Sequence, residues 1–432
     1  MELQTEPDKE TSSAVGRIRY VLRQLGPGLV TGAADDDPSG IATYSQAGAQ
    51  FGFGMLWAVL FTYPLMVGIQ VVSARIGRVT GMGVTANIRR FYPPWLLYIL
   101  VSLLLFANTI NIAADIGAMG EALQLMIGGP PHGHAVMIGV VSLLLQVFMP
   151  YPRYAPLLKW MVLALFAYVA TVFAVQVPWT DVLVNLLWPA IVFRADYVLT
   201  MVAVFGTTIS PYLFFWQASQ EVEDQNADAD ASPLISAPEQ AKKNLWRIKV
   251  DTYIGMGFSN LIALFIMLTA AVTLHAHGVT DIKTSAQAAE ALRPIAGNFA
   301  FVMFSIGIIG TGMLAIPVLA GSAAYAGAEA LQWRTGLSRK PLEARGFYGI
   351  IAIATLIGVA IDFTPIDPIR ALIWSAVVNG VIAVPIMSVM MLMAVKSEVM
   401  GAFVISRRLK ILGWAATLIM AAAVLAMLIS WL

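Results

Sequence analysis

The chain has 432 residues, of which 59% are hydrophobic and only 12% are charged. A soluble protein carries about 25% charged residues, so this composition favours a protein that lies largely within a membrane. The net charge of +1 gives no sign of a nucleic-acid partner, and the absence of cysteine excludes disulfides, thiolate metal ligands and cysteine nucleophiles.

Apolar segments of about 20 residues, the length that crosses a bilayer, recur along the whole chain. We predict eleven membrane-spanning helices from these segments. They are roughly 27–47, 52–74, 95–127, 134–150, 157–177, 196–219, 251–274, 297–328, 346–362, 367–395 and 409–431. The predicted fold class is therefore an all-α integral membrane protein.

The distribution of basic residues between the loops predicts the orientation, because cytoplasmic loops carry an excess of lysine and arginine. With the N-terminus in the cytoplasm, all but four of the 26 basic residues fall on the cytoplasmic side. The four exceptions are Arg194, Lys283, Arg293 and Arg370. We therefore expect a multi-pass protein of the plasma or inner membrane, with the N-terminus in the cytoplasm and the C-terminus outside.

Three parts of the chain are predicted. A cytoplasmic segment covers residues 1–25, a core of ten helices covers 26–395, and the eleventh helix lies in 396–432. The longest polar stretch, from about Glu221 to Lys249, is acidic at its start and basic at its end. We expect this stretch to be a solvated connector between two halves of the core.

The first and sixth predicted spans each contain a proline in mid-membrane. Residues 35–40 read Asp-Asp-Asp-Pro-Ser-Gly, and residues 206–212 read Gly-Thr-Thr-Ile-Ser-Pro-Tyr. Proline breaks a helix, and the freed carbonyls must find partners within the protein or in a wet cavity. Two breaks five spans apart predict a five-plus-five inverted repeat with an ion site at the breaks. The aspartates argue against two unrelated proline kinks, because charges within a membrane are costly and usually functional.

The sequence around the first break resembles the Nramp family of divalent-metal transporters. The family pattern is GPG, a DPGN break and then QAGA, whereas this chain has GPG at 26–28, DPSG at 37–40 and QAGA at 46–49. Residues 74–81 also resemble the family's loop after its second helix. The resemblance covers most of the chain and implies a LeuT-type fold that works by alternating access.

The sequence departs from the family at the positions that would bind the ion. Gly40 replaces the asparagine of DPGN, Ser210 replaces a methionine of helix six, and Tyr212 replaces a histidine. Loss of the thioether favours a hard cation, and glycine at position 40 enlarges the site for an ion that keeps part of its water shell. These departures resemble the Nramp-related magnesium transporters, which implies Mg²⁺ uptake, with Mn²⁺ as a second candidate.

Proton coupling is also predicted to be weakened. Ala114 and Gly117 stand at the two acids of the family's helix three, and Tyr212 and Gln217 stand at its two histidines in helix six. None of these replacements titrates near neutral pH, so the resemblance implies transport without obligatory proton symport, driven by the membrane potential. Asp115 is one position away from a family acid and stays a candidate proton relay.

Two sets of candidate residues follow. The predicted metal site comprises Asp37, Ala34, Gly40, Thr207, Ser210 and Asn379. The predicted vestibule or pathway comprises Asp35, Asp36, Tyr212 and Gln217. Asp37 would supply the charge, and Ala34 and Thr207 would supply backbone carbonyls. Ser210 would bind a water ligand or, alternatively, its own helix backbone. Asn379 would line the site or bridge helices.

Three other functions remain open at this point. They are a proton-coupled Mn²⁺/Fe²⁺ symporter of the Nramp type, a transporter of amino acids or other organic solutes, and a membrane sensor without transport. An enzyme is not expected, because the sequence shows no nucleophile–base pair, nucleotide loop or zinc motif. The expected partners are Mg²⁺ or other divalent cations and the lipid bilayer. No cofactor, nucleic acid or obligatory protein partner is expected.

Overall fold

A computed structural model describes residues 27–149, 160, 161 and 163–431, and all regular elements in this part of the chain are helices. Eight helical stretches are long and apolar enough to cross a membrane, and one of them, Pro38–Thr80, contains parts of two predicted spans. Two shorter apolar helices, Leu163–Ala174 and Arg345–Ile361, coincide with the predicted fifth and ninth spans. The predicted all-α membrane fold is confirmed. The predicted segment 1–25 lies outside the described residues.

The bounds of the α-helices define the labels used below. In chain order they are α1 (Pro27–Asp35), α2 (Pro38–Phe51), α3 (Leu56–Thr80), α4 (Val84–Phe91), α5 (Pro94–Ile127), α6 (Pro131–Phe148), α7 (Phe166–Ala174), α8 (Trp179–Leu187), α9 (Ala195–Thr208), α10 (Pro211–Ala227), α11 (Ala241–Thr273), α12 (Ser285–Ala289), α13 (Arg293–Ala296), α14 (Ala300–Ala330), α15 (Arg345–Ile361), α16 (Pro368–Ala394), α17 (Ser397–Met400) and α18 (Arg407–Ser430). The first predicted span is thus α1 and α2, and the sixth is α9 and α10.

Both predicted breaks are present, and proline begins the second half of each broken helix. Asp37 precedes α2 and Ser210 precedes α10, each with an extended backbone conformation. Proline is favoured at the first position of a helix, because its missing N–H has no intrahelical partner there. The prolines that interrupt the first and sixth spans therefore also start α2 and α10.

Glycines allow the two broken helices to pack closely against neighbours that are continuous helices. A Cβ atom added to Gly32 of α1 would lie 2.2 Å from the Gly255 carbonyl oxygen of α11. One added to Gly206 of α9 would lie 2.0 Å from the Ala376 carbonyl oxygen of α16. Such contacts are typical of membrane helices whose backbones approach each other closely. They place α1 against α11 and α9 against α16.

The connector predicted from about Glu221 to Lys249 is shorter than expected. Helix α10 continues to Ala227 and α11 already begins at Ala241, so both ends of the polar stretch are helical. Arg247 of α11 forms a salt bridge with the fully buried Glu221 of α10. The opposite charges at the two ends pair with each other across the helices, which is why they do not form a solvated loop.

Candidate metal site

Asp37 is held in the break between α1 and α2. Its Oδ1 atom accepts a hydrogen bond of 2.8 Å from the backbone N–H of Gly40, which makes Asp37 the N-cap of α2. A carboxylate is favoured there, because the unpaired N–H groups at a helix N-terminus carry partial positive charge. The side chain is only 1% exposed. The local sequence therefore fixes a buried carboxylate at the predicted ion site.

The second oxygen of Asp37 contacts two other helices. Asp37 Oδ2 accepts hydrogen bonds from Asn111 Nδ2 of α5, at 3.0 Å, and from the Tyr212 hydroxyl of α10, at 3.2 Å. Tyr212 was predicted to line the pathway, whereas Asn111 was missed. The signal for Asn111 was present in the sequence, since it is one of a few polar residues in a largely apolar predicted span, and polar groups within a membrane are usually functional.

The two predicted backbone ligands lie at the breaks and accept hydrogen bonds from hydroxyl groups. The Ala34 carbonyl oxygen accepts one from the Tyr212 hydroxyl at 3.1 Å. The Thr207 carbonyl oxygen accepts one from Ser210 Oγ at 2.8 Å, and Ser210 Oγ also lies 2.9 Å from the Gly206 carbonyl oxygen. Ser210 thus binds its own helix backbone, which is the alternative considered for it.

Gly40 lies where the two broken helices meet. A Cβ atom at this position would be 3.3 Å from the Asp35 carbonyl oxygen and 3.3 Å from Thr207 Oγ1. These distances are tighter than ordinary van der Waals contact. The space that glycine leaves is therefore taken up by groups from both breaks, and a larger side chain would have to displace them.

Asp35 and Asp36 share one hydroxyl group of α11. Ser259 Oγ lies 2.6 Å from Asp35 Oδ2 and 3.1 Å from Asp36 Oδ1. The other oxygen of each carboxyl group is buried and has no hydrogen-bond partner. No ion pair with lysine or arginine involves them in the described part of the chain. They place two further carboxyl groups next to Asp37 in the chain, and their role in a cation vestibule stays a prediction.

Gln217 joins three helices and makes no hydrogen bond to Asp37. Its Oε1 atom accepts a hydrogen bond from Gln70 Nε2 of α3 at 2.6 Å, and its Nε2 atom donates to Thr252 Oγ1 of α11 at 3.1 Å. Both ends of the amide are therefore engaged in linking α10 to α3 and α11. Here the structure supports a bridging role more than a pathway role.

Asn379 of α16 is buried, and neither polar atom of its side chain has a hydrogen-bond partner. Its neighbour Gly380 packs against Gly206 of α9, just before the second break. The Asn379 amide is therefore on α16, the helix that packs against α9 near the second break. It forms no direct hydrogen bond to Asp37.

The groups that contact Asp37, together with the Ala34 carbonyl that shares the Tyr212 hydroxyl with it, are oxygen and nitrogen atoms from α1, α2, α5 and α10. Within the described residues, no group of three or more histidines, aspartates or glutamates converges as a metal site. A cation at Asp37 would therefore draw on backbone carbonyls, amides and water as well as on the carboxylate. Oxygen ligands of this kind suit hard cations such as Mg²⁺, Ca²⁺ and Mn²⁺.

Comparison with known proteins matches nearly the whole chain to one family. The Nramp family model, described as natural resistance-associated macrophage protein-like, matches residues 28–430. The divalent metal cation transporter MntH of Klebsiella pneumoniae (strain 342) is 26% identical over 412 residues, covering 94% of this chain and 93% of that protein. MntH of Caldanaerobacter subterraneus subsp. tengcongensis is 25% identical, covering 84% of this chain and 82% of the relative.

Solved structures show the same fold. A crystal structure of the Eremococcus coleocola manganese transporter, in complex with an aromatic bis-isothiourea compound, has a TM-score of 0.72 at 17% identity. It covers 96% of this chain and 87% of that chain. MhsT in complex with L-phenylalanine has a TM-score of 0.56 at 13% identity, over 93% of this chain and 98% of that chain. At these identities the likeness concerns the fold alone.

The helical fold with broken first and sixth spans is the LeuT-type fold of multi-pass membrane transporters, and the family match makes the cargo a divalent metal cation. The chain belongs to the Nramp family. Its relatives are metal-ion transporters and not enzymes.

Proposed function

We propose that this chain imports Mg²⁺ by alternating access, with Mn²⁺ as a second substrate and without obligatory proton symport. The observation that carries the proposal is the set of groups around Asp37. Asn111 and Tyr212 contact it, and Tyr212 also contacts the Ala34 carbonyl; these groups present only oxygen and nitrogen atoms. A soft sulfur ligand would favour transition metals, and its absence from these contacts favours a hard cation.

The replacements in the sixth span, at the start of α10 and within it, support the same proposal. Ser210, at the family's methionine position, bonds its own helix, and Tyr212, at a histidine position, bonds Asp37 and the Ala34 carbonyl. Gln217, at the second histidine position, joins three helices through its amide. None of these groups exchanges protons near neutral pH, so they do not supply a proton-carrying step.

The membrane potential would supply the driving force. It contributes about 2.3 kcal/mol per charge per 100 mV, so a divalent cation gains about twice that amount. The proposed orientation places the N-terminus in the cytoplasm and the C-terminus outside, at the plasma or inner membrane, because most basic residues then face the cytoplasm.

A second candidate function is proton-coupled Mn²⁺ uptake. Two observations favour it. Relatives of this chain include a manganese transporter of the same fold. Asp115 of α5 is fully buried, and neither of its carboxyl oxygens has a hydrogen-bond partner. A carboxyl group in that situation is available to take up a proton.

Uptake into proteoliposomes separates the two functions. The full chain would be reconstituted with a Mg²⁺ indicator and a pH dye inside, under an imposed potential that is negative inside. We expect Mg²⁺ entry without internal acidification, and Mn²⁺ should compete with it. Acidification that follows metal entry, or entry of Mn²⁺ without Mg²⁺, would overturn the proposal.

The Asp37→Ala variant tests the site in the same assay. We expect it to lose Mg²⁺ uptake, because the only charge at the α1–α2 break that contacts both α5 and α10 is removed. Asp281→Asn is the matched control, since Asp281 is an exposed loop residue. Full Mg²⁺ uptake by Asp37→Ala would rule out this assignment of the site.

A further inference from the structure

Three polar residues lie on one face of α5. Asn108, Asn111 and Asp115 are spaced three and four residues apart, which brings them onto the same side of a helix. All three are completely buried. The row extends for about 10 Å along the helix axis, at 1.5 Å per residue. We call these three residues the α5 polar row.

The two asparagines of the row use their nitrogen atoms and leave their oxygen atoms without partners. Asn111 Nδ2 donates to Asp37 Oδ2 at 3.0 Å. Asn108 Nδ2 donates to the Leu319 carbonyl at 2.9 Å and to Ser322 Oγ at 2.7 Å, both on α14. The side-chain oxygens of both asparagines, and both oxygens of Asp115, are buried without a hydrogen-bond partner.

The partnerless atoms of the row are therefore all hydrogen-bond acceptors. The same is true of Asp35 Oδ1 and Asp36 Oδ2, which directly precede Asp37 in the chain. Buried acceptors are costly unless a donor reaches them. Water molecules bound to a cation present their hydrogens outward, so a hydrated cation needs acceptors around it. Mg²⁺ gives up its water reluctantly and usually keeps several molecules when it binds to protein.

We propose that Asn111 and Asp115 accept hydrogen bonds from water molecules that the cation retains while it is bound at Asp37. The inference rests on the proposed transport of Mg²⁺ and names the groups that recognise its water shell. Asn111 links the cation ligand to the water shell, because its side-chain nitrogen contacts Asp37 and its side-chain oxygen is free to accept a hydrogen bond from water. Asp115 lies one turn further along the same face of α5 and is buried, with both carboxyl oxygens unpartnered.

Amide chemistry distinguishes this role from a chain of proton carriers. Two of the three members of the row are asparagines, whose side chains do not titrate near neutral pH. A carboxylate and two amide oxygens on one face instead provide fixed acceptors for water. The donor side of Asn108 is held by α14, so that its oxygen also keeps a defined position.

The test uses three cations with the purified full chain in nanodiscs, with affinity measured by calorimetry. Mg²⁺ keeps its water firmly, and Mn²⁺ gives it up more readily. Hexaamminecobalt(III) resembles hexahydrated Mg²⁺ in size, does not exchange its ligands, and binds only through its N–H donors. We expect Asn111→Leu and Asp115→Leu to weaken Mg²⁺ and hexaamminecobalt(III) about 10- to 100-fold, the usual cost of losing an outer-layer partner. Mn²⁺ affinity should fall much less.

Two further variants complete the design. Asp115→Asn keeps one acceptor oxygen, so it should lose less affinity for both probes than Asp115→Leu, and it replaces Asp115→Leu if that variant does not fold. Gln146→Leu is the control, because Gln146 of α6 also has a buried amide oxygen without a partner, away from Asp37. It should leave all three affinities unchanged.

Two results would overturn the inference. One is an equal loss of Mg²⁺ and Mn²⁺ affinity in Asn111→Leu with hexaamminecobalt(III) unaffected, which would mean that Asn111 only positions Asp37. The other is unchanged Mg²⁺ and hexaamminecobalt(III) binding in both Asp115 variants. Failure of the proposed function would give a different result. The unaltered chain would import no Mg²⁺ but would still bind hexaamminecobalt(III), and the variants would still lose affinity for hexaamminecobalt(III).

Discussion

At the scale of single residues, Tyr212 connects the two breaks of the transporter. Its hydroxyl group has one proton but two acceptors, the Ala34 carbonyl oxygen at 3.1 Å and Asp37 Oδ2 at 3.2 Å. Both acceptors are candidate ligands of the cation. A cation that binds them would have to take over these hydrogen bonds, so the tyrosine hydroxyl and the cation are expected to compete for the same oxygens.

Ser210 allows a direct test of the link between ligand type and ion preference. Replacement by methionine, Ser210→Met, should raise the affinity for Mn²⁺ and Cd²⁺ relative to Mg²⁺ by about tenfold, because a thioether favours softer metals. Competition calorimetry on the purified protein measures this ratio. Ser210→Ala is the control, since it removes the hydroxyl without adding sulfur. The same ratio in both variants would show that position 210 does not contact the cation.

At the scale of helices, local chemistry made the breaks predictable. Proline at the first position of α2 and α10, and an aspartate that caps α2, act within a few residues of sequence. The contact between Asn111 and Asp37 was not predictable, because it joins residues 74 positions apart and depends on how α5 packs. The connector after α10 was predicted too long for the same reason, since the Arg247–Glu221 pair is also non-local.

Close packing between α9 and α16 should control the stability of the broken helix. In Gly206→Ala, the added methyl group would lie 2.0 Å from the Ala376 carbonyl oxygen. We expect a loss of about 1–3 kcal/mol in the free energy of unfolding, the usual cost of overpacking. Thermal unfolding in detergent measures it.

Gly349→Ala is the matched control for that substitution. A Cβ atom at Gly349 in α15 would have no neighbour within 4 Å. Alanine is a better helix former than glycine by about 1 kcal/mol, so this variant should be as stable as the unaltered chain or more so. Equal stability of the two variants would contradict the assigned role of Gly206.

At the scale of the whole molecule, a salt bridge and hydrogen bonds link the C-terminal parts of α10 and α2 to α11 and to the segment that follows α11. At one end, Arg247 of α11 pairs with the buried Glu221 of α10. At the other, Gln46 of α2 donates to the Thr280 carbonyl at 3.2 Å and accepts from the backbone N–H of Ile282 at 2.9 Å. Alternating access requires each set of contacts to open in turn.

Removal of the partner of Glu221 should destabilise the folded protein. In Arg247→Met, a buried carboxylate would be left without its cation, which typically costs about 3–5 kcal/mol. The double variant Arg247→Met/Glu221→Leu should recover most of this loss. Thermal unfolding compares the single and double variants. Equal losses of stability in both would mean that the Arg247–Glu221 pair does not stabilise the contact between α10 and α11.

An exposed ion pair provides the comparison for that experiment. Arg293 and Glu290 form a surface salt bridge at 2.9 Å, with the arginine side chain 63% exposed. Exposed pairs contribute about 0–1 kcal/mol, so Arg293→Met should have little effect on unfolding.

The two oxygens of Asp37 make different contacts. Oδ1 caps α2 by accepting from the Gly40 amide, and Oδ2 accepts from Asn111 of α5 and Tyr212 of α10. Occupancy of the cation site is therefore linked to the strength of a single backbone hydrogen bond. Solvent exchange of the Gly40 amide hydrogen, followed by mass spectrometry with and without Mg²⁺, would report cation occupancy from within the protein without any attached label.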